Sequence, residues 1–140
     1  MMFKSLQALI ATWLVIAGIS GPASAAGPSR IDPAAVAVAQ TYFDALKSGD
    51  RQTLLALLSG NERTRIEVQL NDPKYSDFLT QRYGNASLEI VDGGVKGGVS
   101  YIDITIWINA TESVRERLIL KPSSKSGGSP LSIVARRELD

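Results

Sequence analysis

Histidine and cysteine, which often carry catalysis or bind metals, do not occur in this sequence. Their absence excludes a Ser-His-Asp triad, the usual zinc and haem sites, and disulfide bonds. Paired acids could still transfer protons, and Asp44 with Asp50 and Asp72 with Asp77 are two such pairs. These aspartates fall at expected helix caps or polar helix faces, so capping and solvation explain them.

A glycine-rich segment, Gly93 to Gly98 (GGVKGG), superficially resembles a phosphate-binding loop. Such a loop needs a helix directly after it to donate its N-terminus to the phosphate, whereas an alternating strand pattern follows here. The segment is therefore expected to be a flexible hairpin loop. Arg63, Arg65 and Arg82 could converge on an anion, but helical arginines are usually solvated. No stretch matches the EF-hand calcium pattern, and neither a metal nor another cofactor is expected.

One carboxylate, Glu116, falls among apolar residues. It follows the stretch YIDITIWIN (Tyr101 to Asn109), in which isoleucine occupies every second position. The predicted strand pairing sets Ile102 beside Leu120, Ile104 beside Leu118, Ile106 beside Glu116 and Ile108 beside Val114. A shift of one residue would set Arg115 and Arg117 among the isoleucines, and burial of unpaired charge costs several kcal/mol. The isoleucine face is therefore predicted to be the core.

Glu116 becomes the single carboxylate in an aliphatic row, and two explanations remain open. It could be a polar group in a pocket between helices and sheet, where desolvation raises its pKa unless a cation compensates. Alternatively, it lies near an open rim and pairs with an arginine or lysine, or a β-bulge turns it outward. The pocket interpretation adds Tyr42, Tyr75 and Phe78 as lining residues.

The opposite face of the same two strands carries Tyr101, Thr105, Trp107, Arg115 and Arg117. Aromatic and cationic side chains of this kind are enriched at protein interfaces. Strand propensity alone also favours tyrosine, threonine and tryptophan on any sheet face, so both explanations stay open. These five residues are the candidate partner surface.

Four helices are predicted in the first half of the chain. Asp32 and Asp72, each followed by proline, supply the N-caps of the first and fourth helices. Gly49 is expected to end the first helix in a left-handed conformation, and a short second helix follows it. Ser59 and Glu62 have the spacing of a capping box for the third helix.

From Ala86 onward the apolar period changes from near 3.6 residues to 2, which indicates strands. Four strands are predicted: Ser87 to Val91, Val99 to Asn109, Ser113 to Lys121 and Leu131 to Leu139. Their short connections require an antiparallel meander. Helices followed by strands indicate an α+β fold, with the helices packed on one face of a curved four-stranded sheet. The adjacent Arg136 and Arg137 are expected to point to opposite faces.

The chain opens with one lysine, Lys4, then an apolar run and the sequence Ala23-Ser24-Ala25, which is typical of a secretory signal peptide. Cleavage after Ala25 is predicted, and a retained membrane anchor is the alternative. Residues 26–31 are then a linker and residues 32–140 a single domain. Without Lys4, 14 basic residues balance 14 acidic ones, which favours neither nucleic acid nor a membrane as partner. Export to a bacterial periplasm is expected, because the exported chain has no disulfides.

The segment VAVAQTYFDALKSGDRQTLLALL, followed by further helices and a four-stranded meander, resembles the nuclear transport factor 2-like superfamily of the cystatin-like grouping. The residues that carry the resemblance are Tyr42, Phe43, Ala45, Leu46, the turn Ser48-Gly49-Asp50, Leu54, Leu57 and Leu58. It implies a cone-shaped domain with a cavity between a bent sheet and the helices, often dimerising through the outer sheet face. Enzymes of that superfamily place aspartate, histidine or tyrosine in the cavity, and no matching motif is found here.

Two functions follow as predictions. The first is an exported, non-catalytic domain that binds a small apolar molecule beside Tyr42, Tyr75, Phe78 and Glu116, or binds a protein partner or second copy through the outer sheet face. The alternative is a cofactor-free lyase or isomerase, in which Glu116 acts as the base and Tyr42 or Tyr75 polarises the substrate. A water-accessible cavity with Glu116 and a tyrosine hydroxyl within hydrogen-bonding distance would favour the enzyme.

Overall fold

The computed structural model describes residues 31–123 and 129–140. The helices are α1 (Pro33–Ser48), α2 (Arg51–Leu57), α3 (Gly60–Leu70) and α4 (Lys74–Tyr83). The strands are β1 (Ser87–Lys96), β2 (Val99–Trp107), β3 (Ser113–Pro122) and β4 (Leu131–Glu138). They form an antiparallel sheet in the order β1-β2-β3-β4, against which the helices pack. The predicted α+β fold is confirmed, whereas the predicted signal peptide lies outside the described residues.

Two aspartates and a glycine set the first helix boundaries. Asp32 and Asp50 each accept a hydrogen bond from a backbone amide of the helix they precede, at 2.9 and 3.1 Å. Gly49, between α1 and α2, has a φ of +66°, and a Cβ at this position would lie 2.6 Å from the carbonyl oxygen of Ser76. A side chain is excluded here both by the left-handed backbone and by the close approach of α4.

The predicted capping box at the start of α3 is wrong. The Ser59 side chain makes no capping hydrogen bond. Its backbone amide donates instead to the carbonyl oxygen of Ile133 at 3.0 Å, which joins the α2–α3 connection to the edge strand β4. The amide that Glu62 would bind in a capping box is therefore already occupied. Glu62 lies in the interior, with 5% of its surface exposed.

β2 and β3 pair through the predicted faces, but in a register that differs by two residues. Ile104 lies opposite Glu116 rather than Leu118. The cause is the Asn109 side chain, whose oxygen accepts two backbone amide hydrogen bonds at 2.9 Å and thereby makes residues 108–112 the connection. A shift of two keeps every side chain on its own face. The isoleucine core is confirmed, because Ile102, Ile104 and Ile106 are each at most 1% exposed.

The glycine-rich loop between β1 and β2 is shorter than predicted. Its first two glycines belong to β1, and Gly97 and Gly98 form the turn with φ values of +60° and +77°. Positive φ at both central residues is what a tight two-residue hairpin turn requires. β1 therefore continues to Lys96 instead of ending at Val91.

The core lies between the helices and the isoleucine face, which is here called the inner face of the sheet. The largest fully buried side chains are Val38, Tyr42, Leu58, Leu70, Leu79, Ile102, Ile104, Ile106, Leu118, Leu120 and Ile133. The outer face carries the polar and aromatic residues of β2, and Trp107 is 41% exposed there. Within the described part of the chain, no helix has the length and apolar character needed to cross a membrane.

Candidate functional site

A cavity of about 80 Å³ lies between the helices and the inner face of the sheet. Most of its wall is aliphatic and consists of Leu46, Leu54, Leu58, Ile66, Leu70, Leu79 and Val114. The polar part of the wall consists of Tyr42, Tyr75, Tyr83, Glu116 and Arg136. Pockets for drug-sized ligands begin near roughly 300 Å³. This cavity therefore suits a molecule of only a few heavy atoms.

Three elements bring the polar wall together. Tyr42 lies in the middle of α1, on the side that faces the sheet, and is 2% exposed. Glu116 lies on the inner face of β3, opposite Ile104, and Arg136 lies on the inner face of β4, opposite Leu118. Because β3 and β4 are adjacent, Glu116 and Arg136 are diagonal neighbours on one face. Tyr42 reaches both of them from the helical layer.

Hydrogen bonds join these side chains in a continuous chain. The Tyr42 hydroxyl donates to Glu116 Oε1 at 3.1 Å, and Arg136 Nη1 donates to the Tyr42 hydroxyl oxygen at 3.0 Å. Arg136 Nε donates to Glu62 Oε1 at 2.5 Å, and Arg65 Nη2 donates to the same oxygen at 2.6 Å. These five residues are here called the inner polar cluster. No buried side-chain nitrogen or oxygen in the described ranges is left without a hydrogen bond.

Burial controls the protonation of the two groups that face the cavity most directly. It raises the pKa of Glu116, although the positive charge of Arg136 and the hydrogen bond from Tyr42 act in the opposite direction. Burial and the nearby Glu116 carboxylate also raise the pKa of Tyr42. Glu116 is thus an acid whose ionised form is destabilised, and Tyr42 keeps its proton.

The other half of the cluster is a charged pair. Burial alone would raise the pKa of Glu62, but the hydrogen bonds from Arg65 and Arg136 outweigh it, and the pKa lies below its ordinary value. Burial alone would lower the pKa of Arg136, but Tyr42 and Glu62 stabilise the guanidinium, and its pKa lies above the ordinary value. Glu62 is therefore the counter-ion of Arg136, which leaves Glu116 as the acid available to the cavity.

The structure brings three of the four predicted pocket residues to the cavity: Tyr42, Tyr75 and Glu116. The assignment of Phe78 to the pocket is wrong, since Phe78 is 50% exposed and stacks on the Tyr75 ring at a centroid distance of 5.3 Å. Leu79 takes the inward position of α4 instead and is 1% exposed. The reason is that α4 packs mainly on α1 and not on the sheet, which leaves Phe78 outside the core.

Arg136 and Glu62 were not predicted as site residues. Simple alternation from the buried Ile133 would put Arg136 on the outer face. A β-bulge in the β3–β4 pairing lets Ile133 and Arg136 share the inner face, while Arg137 faces outward, which confirms the expected split of the arginine pair. Glu116 could have indicated that an arginine lies in the site, because a carboxylate buried in an aliphatic row needs a cation nearby.

The predicted partner surface divides into separate parts. Thr105 is 5% exposed, because it lies between the longer side chains of Glu89 and Arg115, so its assignment to an exposed surface is wrong. Trp107 is exposed, and its indole nitrogen donates to Glu89 at 3.1 Å. Arg115 donates to the backbone oxygen of Asp140 at 2.6 Å.

Arg117 and Tyr101 belong to another group at the opposite end of β2. Arg117 donates two hydrogen bonds to Asp103, at 2.7 and 2.9 Å, and its guanidinium carbon lies 4.3 Å from the centre of the Tyr101 ring. These three residues are here called the outer trio. Arg117 lies opposite Asp103, whereas the predicted register would have set it opposite Thr105. Tyr101 and Trp107 are six positions apart, which is about 20 Å along a strand.

No group of acids in residues 31–123 and 129–140 has the arrangement needed to hold a metal ion. No protein-family model matches the sequence, and no curated protein is significantly similar to it. The resemblance to the nuclear transport factor 2-like superfamily therefore stays a prediction.

Proposed function

We propose that this chain is a non-catalytic binding domain, and that its ligand is a small, mainly apolar molecule held in the inner cavity. The observation that carries the proposal is the composition of the cavity wall. Seven aliphatic side chains surround a polar patch in which the Tyr42 hydroxyl joins Glu116 to Arg136 by hydrogen bonds. Ligand sites in proteins commonly combine an apolar lining with a few positioned polar groups.

The hydrogen-bonding capacity left in the inner polar cluster indicates the polar end of the ligand. The Tyr42 hydroxyl has one proton and donates it to Glu116, and Arg136 uses two of its five N–H groups, one to Tyr42 and one to Glu62. Oε1 of Glu116 accepts the Tyr42 hydrogen bond, while its second oxygen has no donor among the described residues. A ligand with a hydroxyl or amino group therefore complements the site, because such a group donates to Glu116.

The size of the cavity sets the expected affinity. The best small ligands gain about 1.5 kcal/mol per heavy atom. A ligand of about five heavy atoms therefore reaches a Kd no tighter than the micromolar range. Binding experiments on this site need probe concentrations in the millimolar range.

The binding experiment uses 1-propanol and propylamine as probes and records the methyl spectrum of protein labelled at leucine, isoleucine and valine. We expect saturable shifts at the cavity leucines, such as Leu54 and Leu79. Val114→Phe fills the cavity wall and should abolish these shifts. Val68→Phe makes the same change on an 81% exposed helix position and should leave them intact.

Thermal denaturation of both phenylalanine variants checks that they remain folded. Shifts that spread over the surface without saturation, or that persist in folded Val114→Phe, would contradict an internal ligand site. Val114→Leu provides a smaller filling change if the phenylalanine variant does not fold, because overpacking a core costs about 1–3 kcal/mol.

The second candidate is the cofactor-free lyase or isomerase, and one observation favours it. Glu116 and the Tyr42 hydroxyl are within hydrogen-bonding distance at a cavity, and the pKa of Glu116 is raised, as a general base requires. We place it second because the Tyr42 proton is already donated to Glu116. Only Tyr75 is left to polarise a substrate carbonyl, and its hydroxyl makes no hydrogen bond to Glu116 or to another described residue that would position it.

Proton exchange separates the two candidates. Butanone in D₂O loses its α-protons when a base catalyses enolisation, and proton NMR follows the loss directly. A binding domain should leave the exchange rate at the buffer value. If the protein accelerates the α-proton exchange and Glu116→Gln abolishes this acceleration, the enzyme becomes the better candidate than the binding domain.

A further inference from the structure

A second concave site lies on the outer face of the sheet, away from the inner cavity. It is a groove of about 410 Å³ near the β1–β2 turn. Its apolar part consists of Val99, Ile119, Val134 and Ala135, together with the Tyr101 ring. Every residue that lines it belongs to a strand, so the groove crosses the sheet from β1 to β4. Three strand spacings give it a width of about 14 Å, which about four extended residues can cross.

The charge of the groove is positive. Lys96, Arg117, Lys121 and Arg137 line it, and no acidic residue is among the lining residues. Arg117 is balanced by Asp103. The other three cations make no ion pair within residues 31–123 and 129–140, and all three are exposed. A chain with a formal net charge of only +1 thus concentrates three cations that have no ion pair among the described residues around one apolar groove.

We propose that this groove docks an acidic segment of a partner protein, in which acidic residues flank one or two aliphatic side chains. The aliphatic side chains occupy the floor between Val99, Ile119 and Val134, and the carboxylates meet Lys96, Lys121 and Arg137. Complementary charge of this kind steers association and selects partners. The groove and the inner cavity lie on opposite faces, so this inference holds or fails independently of the small-molecule ligand.

The composition of the groove argues against three other occupants: a second copy of the chain, a small inorganic anion and a nucleic acid. A second copy placed symmetrically on this face would set one cationic rim against another, and like charges at an interface cost several kcal/mol. A small inorganic anion would leave the apolar floor uncovered. Stacking on nucleic-acid bases is hindered at Tyr101, because the Arg117 guanidinium already covers that ring at 4.3 Å.

The test titrates the ¹⁵N-labelled protein with the capped peptide EEDLVEDE at 50 mM salt. Saturable shifts should cluster on Val99, Ile119 and Ala135. Lys121→Glu should weaken the affinity at least tenfold, and raising the salt to 300 mM should weaken it several-fold. Lys74→Glu, a matched change at an exposed lysine on α4, should leave the affinity within twofold.

Several outcomes would overturn the proposal. These are an absence of shifts at millimolar peptide, an equal loss of affinity in Lys74→Glu, and insensitivity to salt.

Shifts of the same groove residues by phosphatidylglycerol vesicles or by oligo(dT), but not by the peptide, would replace the protein partner with a membrane or a nucleic acid. Concentration-dependent dimerisation that Lys121→Glu abolishes would replace it with a second copy. A uniformly dispersed spectrum of Lys121→Glu confirms that the variant is folded.

Discussion

An arginine, a carboxylate and a tyrosine meet on each side of the sheet, in different surroundings. Inside are Arg136, Glu62 and Tyr42, and outside are Arg117, Asp103 and Tyr101. Each arginine donates its Nε hydrogen to a carboxylate, at 2.5 Å inside and 2.7 Å outside. The inner group joins helices to the sheet, whereas all three residues of the outer group belong to β2 and β3.

This difference in cover changes the role of each tyrosine. Inside, the Tyr42 hydroxyl is a link in the hydrogen-bond chain and connects Arg136 to Glu116. Outside, Tyr101 contributes its ring face to Arg117, and its hydroxyl makes no hydrogen bond to a described residue. Tyr42 and Arg136 of the inner group therefore form part of the polar wall of a cavity. The outer trio neutralises its own charge, and the three cations beside it make no ion pair with a described residue.

The largest contrast is expected when one carboxylate of each group is neutralised. Glu62→Gln leaves Arg136 buried against a neutral partner and should lower the free energy of unfolding by about 3 kcal/mol or more. Asp103→Asn breaks the more exposed pair, in which the Arg117 side chain is 25% exposed against 14% for Arg136, and should lower it by about 1 kcal/mol. Urea denaturation measures both. Equal losses would show that the helices do not bury the inner pair.

A smaller contrast is expected when each tyrosine loses its hydroxyl. Tyr42→Phe removes the acceptor of Arg136 and the donor to Glu116, and buried groups left without partners cost about 1–3 kcal/mol. Tyr101→Phe keeps the ring that contacts Arg117 and should change the stability by less than about 0.5 kcal/mol. The same denaturation experiment gives both values, and a larger loss in Tyr101→Phe would reverse the assigned roles.

The smallest effect is a pH dependence that belongs to Glu116. The pKa of Glu116 is raised in the folded state, so the folded protein holds a proton that the unfolded chain releases. Glu116 therefore makes the free energy of unfolding fall as the pH rises from the pKa of the unfolded chain, near 4.5, through the pKa of the folded protein. Glu116→Gln removes the effect. The variant should therefore gain stability relative to the parent between pH 4.5 and pH 7.5 in urea denaturation, and a constant difference would contradict the burial of Glu116.

Several features of this fold follow from local pattern alone. The two-residue alternation of isoleucine identifies the inner face of β2. It does so even though the predicted β2–β3 register is wrong, because an error of two residues leaves each side chain on the same face. The caps at Asp32 and Gly49 are equally local, because the side chain or backbone conformation concerned acts within one turn of the helix. Glu116 was recognisable as an exception to an aliphatic row.

The rest depends on contacts that no local pattern contains. Glu62 has the spacing of a capping residue, and it turns inward because the Ser59 amide binds Ile133, 74 positions later in the chain. Arg136 reaches Tyr42 from 94 positions away, after a bulge has changed the face of β4. Lys96 lines the outer groove because β1 extends to that residue. The glycines of this segment instead predicted a loop.

One measurement tests the contrast between the two faces most directly. A ¹⁵N spectrum that resolves the arginine Nε–H signals shows both ion pairs in a single sample, and their exchange with solvent can be compared under identical conditions. The Arg136 signal should exchange more slowly than the Arg117 signal, because helices cover the inner pair. Equal exchange, or slower exchange at Arg117, would contradict a polar cluster sealed between the helices and the isoleucine face.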